Sequence, residues 1–575
     1  MNSSSKDKLL VDGPKEKLRE LLQNDALVKA DRFARQQLCP MIDVVVRGHF
    51  GKTAIECDPS TACEVLRECI KNITKELEQW GVGYSAMRWL WMLRRLPQSV
   101  FEGRLSTTLG YDSTLAEVIS GRSPARERRE HWRGENTCLA YLLEGAVVTR
   151  LARFCAGIRI LSQFHVLFRW AGKGASLLFQ RGRIPEIRVD STIRGSVESY
   201  DRRLASTGRP LSRFGSVVTS VIEEDGTDRI LWIQRCEPTV VPTVIPGIPM
   251  AEAKTRDWAL TQANFFLELL SIQKLQELVS DRRCDLNVLF TKEAAVLLYL
   301  LACAPSLLVR HQAGLYNLLR TGNLIWEDAS QLYERLSMLF NIVPDFVRQI
   351  LRAASVLNSL EVLAALESIV GEDWPLAAGP VLRHEGNAIC VDLETASNRL
   401  DAALQFQALQ GDPANVRADH FEKEVQSVVD KSKWRPNTSL AALRGRILVR
   451  DGKPISDIDA IGETEGTLLI VSCKSTLYSG LYDIGDYRTI RNVSSNIEEA
   501  IRRWREVLDV IRKDPVGGNF DFSHFKNIIG VVCTPKIVFV DDEVLKQSAA
   551  VGLPIAVSIS ELATWLGTTD SFWAS

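Results

Sequence analysis

A chain of 575 residues is too long for one hydrophobic core, so we expect about two to four domains. With 46% hydrophobic and 25% charged residues, its composition is that of an ordinary globular protein. The formal net charge of −1 gives no indication of nucleic-acid binding, so any such indication must come from how charge is distributed along the chain.

Cysteine usage and apolar segments indicate the compartment. The twelve cysteines lack the close C-x-x-C pairs of zinc sites, and we expect mostly buried thiols in a reducing cytoplasm. The N-terminus has no apolar signal core. The longest apolar run, Ala294 to Val309, contains Pro305 and is short for a membrane span, so we expect a buried helix there. These features predict a cytoplasmic protein that contacts no membrane.

Hydrophobic periodicity divides the first 410 residues into three parts: a polar tail at 1–14, a mostly helical region at 15–250 with a small hairpin at 215–236, and a helical bundle at 251–410. The proline-rich stretch Pro238 to Pro249 is predicted to be an extended connector at the boundary. The bundle is predicted to begin with a helix from Ala259 to Val279. It carries no catalytic cluster, so its expected role is scaffolding, partner binding or homo-oligomerisation.

Positive charge is concentrated at 88–213, where 22 Lys and Arg face 11 Asp and Glu, a net charge of 22 − 11 = +11. Four arginines there surround an aromatic residue and are candidates for binding the phosphates of a nucleic acid: Arg126, Arg128, Arg129 and Arg133. The alternative is that the arginines of this stretch pair with acidic residues of other segments.

A domain boundary is predicted at Gly411-Asp412-Pro413, and the region 411–575 has the clearest order of elements. This order of helix, antiparallel strands, crossover helix and further strand predicts an α/β layer sandwich. The predicted elements are a helix at 418–430, strands at 443–449, 455–462 and 468–475, a helix at 493–512, a strand at 528–533 and a helix at 544–550, and the segments 555–559 and 561–566 complete the set.

The two central strands carry candidate catalytic residues. They run from Ile455 to Gly462 and from Leu468 to Ser475, and a glycine-bearing turn makes them a hairpin. The first strand contains Asp457 and Asp459, and the second ends its apolar run at Lys474. A carboxylate and a lysine on adjacent strands can hold a divalent metal and position a water.

This order of elements, with its placed residues, resembles the PD-(D/E)XK nuclease superfamily, which has the restriction-endonuclease-like fold. Glu422 in Phe421-Glu422-x-x-Val425 resembles the family's helix glutamate, Asp459 resembles its strand aspartate, and Ser472-Cys473-Lys474 stands where the family has acid-x-lysine. The closing part, from Ile528 onward, resembles Mrr-like modified-DNA restriction enzymes. The resemblance covers about residues 415–570.

The resemblance implies one Mg²⁺ or Mn²⁺ held by Asp459, by Glu422 through water and by the carbonyl of Cys473. Lys474 would orient or help to deprotonate the attacking water. Ser472 departs from the family pattern, because a neutral hydroxyl is a weaker Mg²⁺ ligand than a carboxylate. Asp457, two residues from Asp459 on the same strand face, is a candidate substitute carboxylate. Arg444 and Arg446 are further candidates for phosphate contacts.

The sequence thus predicts an α+β multidomain protein with a largely helical N-terminal region and an α/β restriction-endonuclease-like C-terminal domain. The predicted function is a metal-dependent DNA endonuclease, in a restriction or antiviral defence setting that rests on fold analogy alone. Two alternatives stay open: a degenerate nuclease fold that binds nucleic acid or assembles, and a structural protein whose helical bundle is the working part.

Overall fold

The computed structural model describes residues 25–94, 111–125, 141, 145–189, 191–206, 229–243, 259–272, 290–309, 314–370, 379–405, 412–476, 480–541, 544 and 548–567. The protein is a mixed α+β protein. Its N-terminal half is mostly helical with small sheets, and its later region contains a mixed parallel and antiparallel sheet.

The N-terminal region is mostly helical, as the sequence predicts, and its helices surround one long apolar helix. Its helices are α1 (Asp25–Phe50), α2 (Pro59–Gly81), α3 (Ala86–Leu93), α4 (Tyr111–Gly121), α5 (Gly145–Gly172) and α6 (Ser191–Ser206). A small antiparallel sheet joins β1 (Ile55–Cys57), β2 (Ser176–Phe179) and β3 (Glu186–Arg188). Helix α2 begins where Asp58 caps it and Pro59 supplies a preset backbone angle.

Helix α5 is the core of this region. Within the described residues, the segment Ala146–Gly172 is long and apolar enough to cross a membrane by length and composition, and 78% of its most apolar stretch is buried inside the protein. It packs against α1 and α2, and its apolar side chains belong to the main N-terminal cluster. Burial of this extent is typical of a core helix in a folded domain.

The middle region differs from the predicted helical bundle. Strands β4 (Arg229–Thr243) and β5 (Ala259–Ser271) pair antiparallel along their whole length, so the predicted helix at Ala259 is wrong from there to Ser271. Tertiary pairing overrides the helical preference of the Leu-rich sequence. Strand β4 extends into the proline-rich stretch as far as Thr243, and the ladder is irregular between Arg235 and Thr239, where Pro238 has no N–H to donate. The pairing therefore crosses the boundary predicted at residue 250, and the first strand of the predicted 215–236 hairpin lies outside the described residues.

The other elements of the middle region surround helix α7 (Lys292–Val309), whose apolar residues are almost all fully buried, which confirms the expected buried helix. A three-stranded sheet has the order β6 (Asn323–Trp326), β8 (Ala388–Asp392), β7 (Leu382–Glu385). The remaining helices are α8 (Gly314–Thr321), α9 (Ala329–Leu339), α10 (Asp345–Ala353), α11 (Ser359–Ser368) and α12 (Leu393–Gln405).

A buried ion cluster joins the N-terminal and middle regions. The Arg94 guanidinium, 1% exposed, lies 3.1 Å from Glu117, 2.7 Å from Asp392 and 3.0 Å from Glu394. Other arginines of the basic stretch also pair with acids from distant segments, as in Arg203 with Glu561. For these arginines, the structure shows the pairing alternative rather than a free basic surface.

The C-terminal region is a layer sandwich, as predicted. A four-stranded sheet has the order β11 (Ala460–Thr464), β12 (Thr467–Cys473), β13 (Asn527–Thr534), β16 (Ala556–Ser558), in which β11 is antiparallel to β12 and the other three strands are parallel. One face packs on α16 (Tyr487–Lys513), and the other packs on α13 (Asp412–Asp430) and α17 (Ile559–Leu566). The smaller elements are α14 (Thr438–Ala441), β9 (Ile447–Arg450), β10 (Lys453–Asp457), α15 (Gly480–Ile484), β14 (Ser548–Ala550) and β15 (Leu553–Pro554).

The central hairpin is confirmed with one change. Glu465 and Gly466 have φ of 46° and 75°, the left-handed angles of a tight two-residue turn between β11 and β12. The predicted first strand is interrupted, because β10 ends at Asp457 and pairs with β9, whereas β11 begins at Ala460. A second difference concerns the helix predicted at 544–550, since Ser548–Ala550 is a strand.

Candidate active site

Three elements bring the candidate residues to one edge of the sheet. Glu422 lies on α13, Asp459 lies in the interruption before β11, and Lys474 follows the last residue of β12. Because β11 is antiparallel to β12, the beginning of β11 lies beside the end of β12, and Ala460 pairs with Val471. Chain reversal at the hairpin therefore places Asp459 next to Cys473.

Asp459 is held at three points. Its N–H donates to the carbonyl of Val471 at 3.2 Å, and its carboxylate accepts a hydrogen bond from the N–H of Cys473. Its own carbonyl accepts a hydrogen bond from Nε2 of Gln426 at 2.6 Å. Asp459 is only 6% exposed, and hydrogen bonds to β12 and α13 fix its position.

The site concentrates negative charge. Burial raises the pKa of Glu422 to about 7, and the neighbouring charges of Asp459, Asp419 and Asp457 add to this rise, while Lys474 opposes it. Burial also raises the pKa of Asp459, against the hydrogen bond from Cys473 and the charge of Lys474. Half-buried Glu422 and buried Asp459 thus lie at one sheet edge with raised pKa values. This arrangement is expected of a site that binds a cation or transfers a proton.

The donor set suits a single hard cation. Among the described residues, no group of three or more His, Cys, Asp or Glu side chains has metal-binding geometry. The backbone carbonyl of Cys473 supplements the acid pair Glu422 and Asp459. The N–H and C=O of one strand residue point to the same side, and the N–H of Cys473 points at Asp459. Two carboxylates and one carbonyl, completed by water, match the few protein ligands that Mg²⁺ usually takes.

Ser472 lies on the face of the sheet opposite to α13, the helix that carries Glu422. Side chains alternate along a strand, so Ser472 shares a face with Ile470, which packs on α16, whereas Cys473 packs in the cluster with α13. The residue is 8% exposed, and within the described part of the chain no hydrogen bond joins its hydroxyl to Asp459 or Glu422. Its role as a ligand stays a prediction.

Lys474 and Asp457 are the exposed members of the site. The N–H of Lys474 donates to the carbonyl of Cys533 at 2.8 Å, which anchors its backbone to β13 while its side chain reaches solvent. Its charge acts on both Glu422 and Asp459. Asp457 ends β10 and contributes negative charge to the same two acids.

The candidate phosphate-binding arginines have different outcomes. Arg444 forms a bidentate ion pair with Asp430 and also donates to the carbonyl of Ile461, so its guanidinium is engaged in holding α13 to the sheet. Arg446 is exposed. The other four candidates lie outside the described residues: Arg126, Arg128, Arg129 and Arg133.

Two site residues are absent from the sequence-based prediction. Gln426 holds the carbonyl of Asp459, and Asp419 adds to the negative charge around Glu422. Both lie on the same face of α13 as Glu422, at the i+4 and i−3 positions. That spacing was the available signal, although many surface helices share it.

Comparisons of this chain with protein-family models, with curated proteins and with solved structures gave no match. The indications of function therefore come from the residues of the site. These residues offer a buried acid fixed by three hydrogen bonds, a second acid with a pKa near neutrality and an exposed lysine.

Proposed function

We propose that this protein is a metal-dependent DNA endonuclease that hydrolyses phosphodiester bonds with a PD-(D/E)XK-like site in its C-terminal region. One observation carries the proposal: Glu422, Asp459 and Lys474, from three separate elements, interact electrostatically at one edge of the sheet. A helix, the residue before β11 and the residue after β12 contribute these side chains, in the chain order that the superfamily resemblance implies.

The proposed roles follow from position and charge. Asp459 and the Cys473 carbonyl would bind Mg²⁺ or Mn²⁺ directly, and Glu422 would bind it through water. The chemistry that a bound ion would supply there is polarisation of the scissile phosphate and a lower pKa for its water. Glu422, whose pKa is about 7 in the metal-free protein, would be the carboxylate that accepts a hydrogen bond from that water. Lys474 orients the attacking water and offsets the charge that develops on the phosphate.

The first experiment is plasmid nicking by wild type, Asp459→Ala and Lys474→Ala, each with Mg²⁺, Mn²⁺ or EDTA. We expect metal-dependent nicking by wild type and its loss in both variants. Asp509→Ala and Lys453→Ala are matched controls, because both residues are exposed and lie outside the site. Equal nicking by all proteins, or nicking in EDTA, would show that the assigned site does not carry the activity.

A second candidate function is a nucleic-acid-binding or assembly module that keeps the fold without catalysis. Two observations favour it: Ser472 stands where an acid is expected, and the described residues contain no three-ligand metal cluster. Ser472→Glu distinguishes the two, since a carboxylate adds a ligand. Activity that appears only in this variant supports the degenerate module, whereas nicking by wild type supports the enzyme.

The setting of this activity is part of the proposal. The substrate would be DNA, and the N-terminal and middle regions would recognise the target, bind a partner protein or mediate homo-oligomerisation in a cytoplasmic restriction or antiviral defence system. Duplex binding at low salt, measured by filter retention and repeated at increasing salt, tests the DNA assignment. Absence of binding at low salt would favour a structural or partner-binding role.

A further inference from the structure

The N-terminal helices contact the C-terminal region at the carboxyl ends of its parallel strands. Gly485 and Asp486 come after β12, Phe539 comes after β13, and Glu561 comes after β16. Cys473 and Lys474 also lie at the carboxyl end of β12. The N-terminal region is therefore seated on the same edge of the sheet as the candidate active site.

Two glycines approach each other closely at this junction. A Cβ atom added to Gly172, at the end of α5, would lie 1.9 Å from the carbonyl oxygen of Gly485. Gly485 has φ of +93°, and a Cβ atom there would lie 2.5 Å from the Cα of Arg169. Backbone meets backbone at this point, and neither position can accept a side chain without displacement.

The residue after Gly485 forms an ion pair across the same junction. Arg67 of α2 donates to the carboxylate of Asp486 at 2.8 Å. Asp486 is also the N-cap of α16, because its side chain accepts a hydrogen bond from the N–H of Thr489. The N-terminal region thus binds the residue at which the segment after Lys474 ends and α16 begins.

A second ion pair fixes the other end of the edge. Arg203 of α6 donates from Nε and Nη2 to the two carboxylate oxygens of Glu561, at 2.7 and 2.9 Å, and from Nη2 to the carbonyl of Ala556 at 2.9 Å. Glu561 completes the capping box of α17 with Ser558. This pair is bidentate and mostly buried, which favours a defined geometry.

Between these pairs, an aromatic contact links the N-terminal region to the segment after Lys474. The Phe539 ring lies 5.9 Å from the Tyr200 ring and 5.8 Å from Nζ of Lys173. The N–H of Phe539 donates to the hydroxyl of Tyr482 at 2.7 Å. Tyr482 belongs to α15, which lies between Lys474 and Gly485.

We propose that the N-terminal helical region positions the sheet edge that carries Lys474: it holds Gly485 and Asp486 before α16 and Phe539 after β13, and cleavage requires this contact. The backbone of Lys474 is anchored to Cys533 of β13, and the docked N-terminal helices contact Phe539, which follows β13. This inference rests on the proposed nuclease function.

The contacts favour positioning over occlusion. Within the part of the chain that the structure describes, the N-terminal contacts reach Asp486, Phe539, Ala556 and Glu561, and none is made to the acids or the lysine of the site. The exposed side chain of Lys474 also stays open to a substrate. The docked region therefore flanks the site without filling it.

The test uses Gly172→Ala in the full-length protein, which places a methyl group against the Gly485 carbonyl. Gly48→Ala is the matched control, because a Cβ atom on Gly48 in α1 meets nothing within 4 Å. Amide hydrogen exchange of residues 480–490 measures docking, plasmid nicking under saturating DNA measures turnover, and filter retention measures DNA affinity. Arg67→Leu removes the ion pair to Asp486 without adding bulk and replaces Gly172→Ala if that variant does not fold.

We expect faster exchange at 480–490 and a fall in turnover of about tenfold or more, with DNA affinity unchanged, because small displacements of catalytic groups are costly. The control should match wild type in all three measurements. Faster exchange with unchanged or increased turnover overturns the positioning role, and unchanged exchange overturns the docking contact. The exchange result stands even if the protein does not cleave DNA, so failure of this inference can be told from failure of the proposed function.

Discussion

Replacing Glu422 with glutamine should stabilise the metal-free protein at alkaline pH. The wild-type carboxyl has its pKa raised from 4.5 to about 7 by burial and by the nearby charges of Asp459, Asp419 and Asp457. The folded state therefore keeps its proton to higher pH than the unfolded state does. Stability is lost as pH rises from 4.5 to 7, and the whole cost is present above pH 7.

The size of this effect follows from the pKa. A change from 4.5 to about 7 corresponds to at most about 3.4 kcal/mol, and solvent screening of a half-buried group reduces this to about 1–2 kcal/mol. Glutamine keeps the shape of the side chain and removes the charge. We expect Glu422→Gln to exceed wild type by about 1–2 kcal/mol at pH 8 and to equal it near pH 4.5.

Urea unfolding in EDTA at several pH values between 4.5 and 8 measures this difference. Glu64→Gln is the control, because Glu64 is exposed on α2, and it should show no pH-dependent gain. Adding Mg²⁺ should stabilise wild type more than the variant, because binding to the folded state alone adds to stability. Equal stability of Glu422→Gln and wild type at pH 8 in EDTA would show that burial and the neighbouring acids do not raise the pKa of Glu422.

Two further predictions concern buried polar contacts. Gln426→Leu removes the donor to the Asp459 carbonyl and should lower the free energy of unfolding in urea by about 1–3 kcal/mol. Nicking at low Mg²⁺ should also weaken. An unchanged metal requirement would show that Gln426 does not position Asp459. Arg94→Met leaves three carboxylates without their shared partner and should cost about 3–5 kcal/mol, whereas the exposed Arg502→Met should cost less than about 1 kcal/mol. Similar losses for both arginine variants would contradict the buried ion cluster.

Local chemistry was enough to predict the central hairpin and its neighbours. Alternating apolar residues on either side of Glu465 and Gly466 specify two antiparallel strands and a tight turn, and both are present. The amphipathic helix that became α16 and the apolar strand that became β13 could be predicted for the same reason, since their periodicity is contained in short stretches of sequence.

Long-range pairing decided what the sequence by itself could not. The Leu-rich stretch at Ala259–Ser271 is a strand because β4 supplies its hydrogen-bonding partner, and local helical preference loses to that ladder. The interruption at Ile458 and Asp459 likewise depends on β10 pairing with β9 while β11 pairs with β12. A single-sequence pattern contains no information on which strands meet.

The candidate site divides in the same way. The sequence by itself was enough to select the candidate residues Glu422, Asp459 and Lys474, because acids and a lysine at those positions in an ordered set of elements are visible without a structure. Only the tertiary structure decided their environment: the Gln426 bond, the raised pKa values and the helices docked on the same sheet edge. Burial and electrostatic coupling depend on distances between residues far apart in the chain, which folding alone sets.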